Sequence, residues 1–195
     1  MRKILVITGN PRKDSFGSQL AEQYIAGAKK SGCEVKCIHV ADLKLEQFLY
    51  DNHKEKTVLP QHLIDVQNQI TEANHLVFAF PIWWGVPPAM FNLFIETIFA
   101  SGFAFKFHPP KGHTAKWDKL LVNKTARLLI TLDSPAWIFK WIIGEPAYKM
   151  MKNAVLEFCG VHPVKKHYFG SVATSSNEQR TLWLEEAYSI GLKEV

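Results

Sequence analysis

An α/β domain built on a five-stranded parallel sheet, ordered 2-1-3-4-5 with helices on both faces, is the fold class this sequence predicts. Three observations predict it. Short β-branched and aliphatic runs alternate along the chain with stretches whose apolar residues recur at helical spacing. Several of those runs are continuously apolar, as strands covered on both faces require. No internal repeat and no linker-like stretch divides the 195 residues, so one domain, 1–195, has to account for all of them.

Residues 3–8 give the first strand, and residues 34–40 repeat its pattern more weakly. Residues 75–80 and 126–132 repeat it well, while 163–172 form a more polar fifth strand suited to an edge. Between strands, Leu20, Ala21, Tyr24, Ile25 and Ala28 fall at spacings of three and four. So do Leu63, Val66 and Ile70, then Met90, Phe91, Phe94 and Ile98. A final, looser period runs through Leu182, Leu184, Ala187, Tyr188 and Gly191. Right-handed βαβ units of this kind place ligands beyond the carboxyl ends of the strands, at the switch point between strands one and three. The loops after Thr8 and after Phe80 are therefore where a site is expected.

Composition narrows the partners. With 47% hydrophobic and 21% charged residues, the chain is neither disordered nor fibrous. Its formal charge of +5 favours anionic ligands, but the basic residues come in dispersed pairs such as Arg2-Lys3, Arg12-Lys13, Lys29-Lys30 and Lys165-Lys166. A nucleic-acid arm would show a longer cluster, so no nucleic acid is expected. Cys33, Cys37 and Cys159 form no CxxC pair and are read as reduced and mostly buried. The N-terminal apolar run is shorter than the roughly 7–15 residues of a signal sequence. No segment reaches the roughly 20 apolar residues of a membrane span, so the expected compartment is cytoplasmic.

The first loop, residues 9–18, enters a helix near Ser15. Hydroxyls of Ser15 and Ser18, freed backbone N–H groups and a positive helix end make a phosphate cradle, with Arg12 and Lys13 adding charge. Ser15 fits equally well as a plain N-cap. Neither GxGxxG nor GxxxxGK[ST] is present, so a monophosphate suits the loop better than a dinucleotide. In the second loop, Pro81, Ile82, Trp83 and Trp84 lead into Gly85-Val86-Pro87-Pro88. Aromatics on a proline-stiffened strand end suit stacking on a flat ring, with backbone N–H groups at the ring's edge; core or oligomer contact is the competing role.

The segment Pro81-Ile82-Trp83-Trp84-Gly85-Val86-Pro87-Pro88-Ala89, followed by Phe91, Glu96, Ile98-Phe99 and Gly102-Phe103-Ala104-Phe105, resembles the signature of the flavodoxin-like NAD(P)H:quinone reductases of the DT-diaphorase type. Ser15-Phe16 with Ser18, and Leu156-Glu157-Phe158-Cys159-Gly160, are similar to further segments of that family, so the resemblance spans most of the chain. It implies a flavodoxin-like three-layer sandwich and a homodimer with two sites shared across it. It implies FMN with its phosphate on Ser15, Phe16 and Ser18 and its ring on Pro81, Ile82, Trp83 and Trp84. NAD(P)H would serve as co-substrate and a quinone or similar small electrophile as acceptor, in ping-pong order. The short chain, without an obvious adenosine-binding extension, makes FAD the less expected flavin. Where many members carry Thr-Thr-Gly-Gly, this chain has Thr131-Leu132-Asp133-Ser134. The two missing glycines restrict the backbone, and Asp133 sets a carboxylate near the ring. The tyrosine and histidine that assist reduction in vertebrate members align with Phe139 and Glu145, so neither catalytic role carries over and no catalytic side chain is assigned.

His108 and His113 flank a turn and read as exposed loop histidines, since a metal would need a third ligand. Segments 99–107 and 135–143 are aromatic-rich without an obvious core role, and are expected to cover the flavin and form a twofold interface. Burial in an insertion competes with that reading for the second segment, and membrane-surface contact through Lys140 and Lys149 ranks last. From a different class, some relatives are regulatory subunits that sense redox state for potassium efflux systems. An electron-carrier flavodoxin is disfavoured by the basic charge, since those carriers are typically acidic.

Overall fold

In the computed structural model, which describes residues 1–45, 59–109 and 116–194, five strands pair in parallel. They are β1 (Lys3–Thr8), β2 (Glu34–His39), β3 (His75–Pro81), β6 (Thr125–Thr131) and β7 (Val164–Phe169), in the order β2-β1-β3-β6-β7. That is the predicted order. Strand ends shift by small amounts: β2 stops at His39 because Val40–Asp42 turns into a 3-10 helix, β6 begins at Thr125, and β7 is shorter than the 163–172 run. β4 (Phe105–Phe107) and β5 (Trp117–Lys119) form a separate antiparallel pair that periodicity does not reveal, since three-residue strands are too short to show one.

Alternating residues of the central strands divide between two apolar clusters, as a pleat with period two dictates. Ile4, Val6, Val77, Ala79, Leu129 and Phe169 meet helices α1 (Phe16–Lys30) and α6 (Asn177–Leu192). Leu5, Ile7, Leu76, Phe78, Phe80, Leu128 and Ile130 meet α2 (Gln61–Glu72) and α3 (Ala89–Ile98), joined by Met151 and Leu156 from the winding Pro146–Cys159 region. That region comprises α4 (Pro146–Lys149), a π-helical stretch Met150–Leu156 and α5 (Glu157–Cys159). α1 and α6 come together backbone to backbone. A Cβ on Gly27 would stand 2.0 Å from the Tyr188 carbonyl oxygen, and one on Gly191 would stand 2.1 Å from that of Tyr24.

Part of the aromatic density of segment 99–107 is internal, while Phe107 stays half exposed. Phe99 and Ala104 are buried, and Phe105 packs on the core with its ring 5.1 Å from Phe158. Segment 135–143 keeps Phe139 inside but leaves Trp137, Trp141, Ile142 and Ile143 exposed. Cys33 and Cys159 are buried and Cys37 is exposed, all as free thiols. Among the described residues no helix is long and apolar enough to cross a membrane.

A polar cluster sits at the amino ends of the strands, opposite the site loops. Glu194 accepts from Arg127 Nε at 2.5 Å through its carboxylate and from Arg2 Nη1 at 2.5 Å through its carbonyl. His75, 2% exposed, has Nδ1 within 2.6 Å of Thr125 Oγ1. Burial lowers the His75 pKa from 6.5 to about 4, with Arg2 and Arg127 pushing the same way against the pull of Glu194. Unfolded histidine therefore binds a proton that the native imidazole refuses between those two values. Stability falls by roughly 3 kcal/mol as pH drops from 6.5 to 4 on this account, and His75→Gln loses that part of the slope in urea titrations across the window.

Candidate functional site

Three loops leave the carboxyl ends of β1, β3 and β6 side by side and enclose a cleft at the switch point between β1 and β3. Gly9 donates its N–H to the Ala79 carbonyl at 2.8 Å, tying the first loop to β3. A Cβ at Gly9 would collide with the Phe91 ring at 2.3 Å, so the chain can pass there only as glycine. Asn10 Oδ1 then accepts from Arg12 N–H at 2.9 Å, turning the chain toward α1. Ser15 caps that helix with extended backbone: its Oγ accepts from Ser18 N–H at 3.2 Å and lies 3.0 Å from Ser18 Oγ. No acidic residue occupies the first turn, so no carboxylate competes there for the positive helix end. Lys13 is drawn into an ion pair with Asp42, so Arg12 is the cation that faces the cleft.

The second loop is anchored to β6 by Ile82 N–H donating to Thr131 O at 2.8 Å. It then closes a tight turn in which Trp83 N–H donates to Val86 O at 2.8 Å and Val86 N–H donates back at 3.1 Å. Trp84 at φ 52° and Gly85 at φ 83° both sit in the left-handed region, as a type I′ turn demands. Glycine is at ease there, whereas a tryptophan is strained by about 1–2 kcal/mol. The third loop follows β6. Leu132 N–H donates to Phe169 O at 3.0 Å, and Asp133 Oδ1 accepts from Ala173 N–H at 3.1 Å.

The cleft measures about 130 Å³ and is open on one side; its lining includes Ser15, Phe16, Pro81, Ile82, Trp83, Thr131 and Asp133. Ser18, 2% exposed, stands behind Ser15, whereas Trp84 is fully exposed on the rim and Ser134 does not reach the lining. Asn10, Gly17, Leu132 and Val172 also line it without having been singled out from the sequence. The first two lie inside the expected loop. Val172 comes from the turn after β7, and only the folded register brings it in. Its carbonyl accepts from Arg180 Nη2 at 3.0 Å, and the same guanidinium stands 5.4 Å from the Phe16 ring, so α6 braces two walls of the cleft.

One expectation about chemistry changes. The N–H groups of Ile82 and Trp83 are committed within the protein, so this wall offers a ring its flat surface rather than those donors. The Asp133 carboxylate accepts from Ala173 N–H through one oxygen and still lines the cleft, so its charge stays there. Phe139 and Glu145 are both buried and outside the lining. His108 Nε2 lies 2.9 Å from Asp118 on the β4–β5 hairpin, and His113 falls outside the described residues. Among the described residues no three His, Cys, Asp or Glu side chains are grouped to hold a metal.

The cradle fits a phosphate: a buried serine pair, an acid-free helix start and Arg12 converge on one end of the cleft. The Pro81–Trp83 wall fits a planar ring at the other. At about 130 Å³ the cleft is smaller than the roughly 300–1,000 Å³ of a typical small-molecule site, so a flavin-sized ligand would extend beyond it.

A family model described as a flavodoxin-like fold matches residues 2–189. A Haemophilus influenzae protein, named an uncharacterized NAD(P)H oxidoreductase, is 22% identical over 190 residues, covering 94% of this chain and 91% of its own. Among solved structures, an NAD(P)H:quinone oxidoreductase from Methanothermobacter marburgensis superposes with a TM-score of 0.81 at 18% identity, covering 98% of this chain and 96% of its own. An FMN-dependent NADH-azoreductase from Bacillus anthracis, solved in complex with FMN, gives a TM-score of 0.73 at 16% identity and covers 98% of each chain.

Proposed function

The chain belongs to the flavodoxin-like-fold family, and on that premise we propose that it is an FMN-dependent NAD(P)H oxidoreductase that reduces quinones or similar electrophilic acceptors. The observation that carries the reading is the convergence, in one cleft between β1 and β3, of a phosphate cradle and a flat apolar wall. Helices packed on both faces of the sheet support reading residues 1–195 as one three-layer sandwich.

In this site Ser15 would hold the phosphate by its hydroxyl with Ser18 bracing it from behind, the first-turn N–H groups of α1 would donate to it, and Arg12 would balance its charge. Pro81, Ile82 and Trp83 support the ring on one side, and Thr131 and Asp133 border it. When bound, FMN would supply the hydride chemistry linking NAD(P)H to the acceptor. The protein needs no nucleophile for this; it positions the reactants and keeps one ring face reachable. Trp137, Trp141, Ile142 and Ile143 lie exposed in the segment after β6, an apolar surface suited to a second copy that narrows the open side. The relatives' names describe oxidoreductases and lend no support to a regulatory subunit of an efflux system.

The test is the visible spectrum of the purified protein, with FMN titration and NAD(P)H oxidation by a quinone. Uptake of FMN with turnover is expected. A protein that stays colourless and gains no thermal stability from FMN overturns the reading. Trp84→Gly relieves the strained turn and is expected to stabilise the fold by about 1 kcal/mol while lowering turnover, because it removes the aromatic group at the rim. Thermal melts and steady-state kinetics on the same sample read the two effects apart.

A further inference from the structure

Glu145 combines three unfavourable circumstances. Its backbone is left-handed at φ 58°, it precedes Pro146, which disfavours helical conformations in the preceding residue, and its side chain is buried. A buried carboxylate persists only when paired, and such strain survives only where the surroundings over-determine it. The surroundings here do so. Lys166 Nζ donates to Glu145 Oε1 at 2.5 Å, Glu145 N–H donates to Phe139 O at 3.1 Å, and Glu145 O accepts from Lys149 N–H at 2.9 Å. Lys166 belongs to β7 and lies over the Tyr148 ring at 3.9 Å, so the clamp is fastened to the sheet. Tyr168, from the same strand, packs against Phe139 at 5.8 Å.

The corner so held abuts the site. Pro146 Cγ lies 3.9 Å from where a Cβ on Gly85 would stand, and Gly85 is the second left-handed residue of the Trp83–Val86 turn. Two left-handed corners, Gly144-Glu145 and Trp84-Gly85, therefore lie beside each other, one locked to β7 and the other carrying the cleft's aromatic wall.

We infer that Glu145 is a positioning residue: clamped by Lys166, it holds Pro146 against Gly85 and so fixes the Trp83–Val86 turn at the cleft. Its consequence for cofactor grip rests on the reading of the cleft as a flavin site; its consequence for the turn does not. Loss of the clamp loosens the turn without touching the phosphate cradle.

Amide exchange of Trp83 and Val86, measured by NMR on the cofactor-free protein, reads the turn directly. FMN titration of the same samples reads the cleft. Glu145→Gln and Lys166→Met are each expected to speed exchange at the two amides and to raise the FMN dissociation constant, both about tenfold. The double variant, which leaves no unpaired charge, is expected to be no worse than either single one, because both singles break one device. Exchange within twofold of the parent in variants that still fold, with only the melting temperature moved, overturns the inference and leaves Glu145 a purely structural residue. If the parent takes up no FMN, the redox reading fails while the exchange measurement still decides the clamp.

Discussion

Glu194→Ala is expected to unfold at a urea midpoint about 1–2 M below the parent, having lost about 3 kcal/mol. The carboxylate is only 7% exposed and faces Arg127 at 2.5 Å, with Arg2 Nη1 3.7 Å from its other oxygen. Truncation leaves the Arg127 guanidinium, itself 14% exposed, without the charge that compensated its burial. Glu194→Gln keeps an acceptor for Arg127 but not the charge, and is expected to fall between the two. Because the cluster lies at the end of the sheet away from the cleft, FMN affinity at a temperature where the variant is folded should match the parent. A variant that melts like the parent would show that the Glu194 carboxylate contributes nothing net, the outcome known for some buried ion pairs.

The opposite dissociation is expected for Gly17→Asp, which should fold as well as the parent yet bind FMN at least 100-fold more weakly. Gly17 lines the cleft, and a Cβ there meets Thr131 Oγ1 at 3.7 Å and Ser15 Oγ at 3.8 Å, ordinary contact distances. A Cβ there therefore meets no clash, and a carboxylate in the first turn of α1 complements the helix dipole. The same carboxylate occupies the place of the ligand's phosphate and repels it at close range, where the low local dielectric strengthens the effect. Gly17→Ala is the control and should retain most of the affinity. Titration of both variants followed by flavin fluorescence, alongside thermal melts, checks the claim. Near-parental FMN binding by the Asp variant would move the phosphate away from the α1 start.

The strand order was legible because β1 and β3 are buried on both faces and so carry no polar interruption; residues 3–8 and 75–80 announce themselves. The cradle was legible for a related reason. A serine at a helix start with no acid after it is a local pattern, and Ser15, Phe16 and the loop around them need only the helix they begin. What the sequence hid is non-local. Val172 enters the cleft through the β6–β7 register, and the N–H groups of Ile82 and Trp83 are withdrawn by partners that only the folded turn supplies. The left-handed backbone at Trp84 and Glu145 was hidden for the same reason, since neither residue type favours it and tertiary contacts impose it. The internal packing of Phe105 and Phe107 was hidden because their partner, Phe158, lies some fifty residues further along.

The close approach of α1 and α6 at Gly27 and Gly191 limits how this protein can change. Any side chain at either position must drive apart two backbones that already touch, and α1 cannot retreat without carrying Ser15 and Gly17 with it. Evolutionary drift at these two remote glycines would thus be felt at the cleft as well as in the packing of the two helices. Adjustment of the grip is left to the loops, where a residue can be exchanged without displacing a helix.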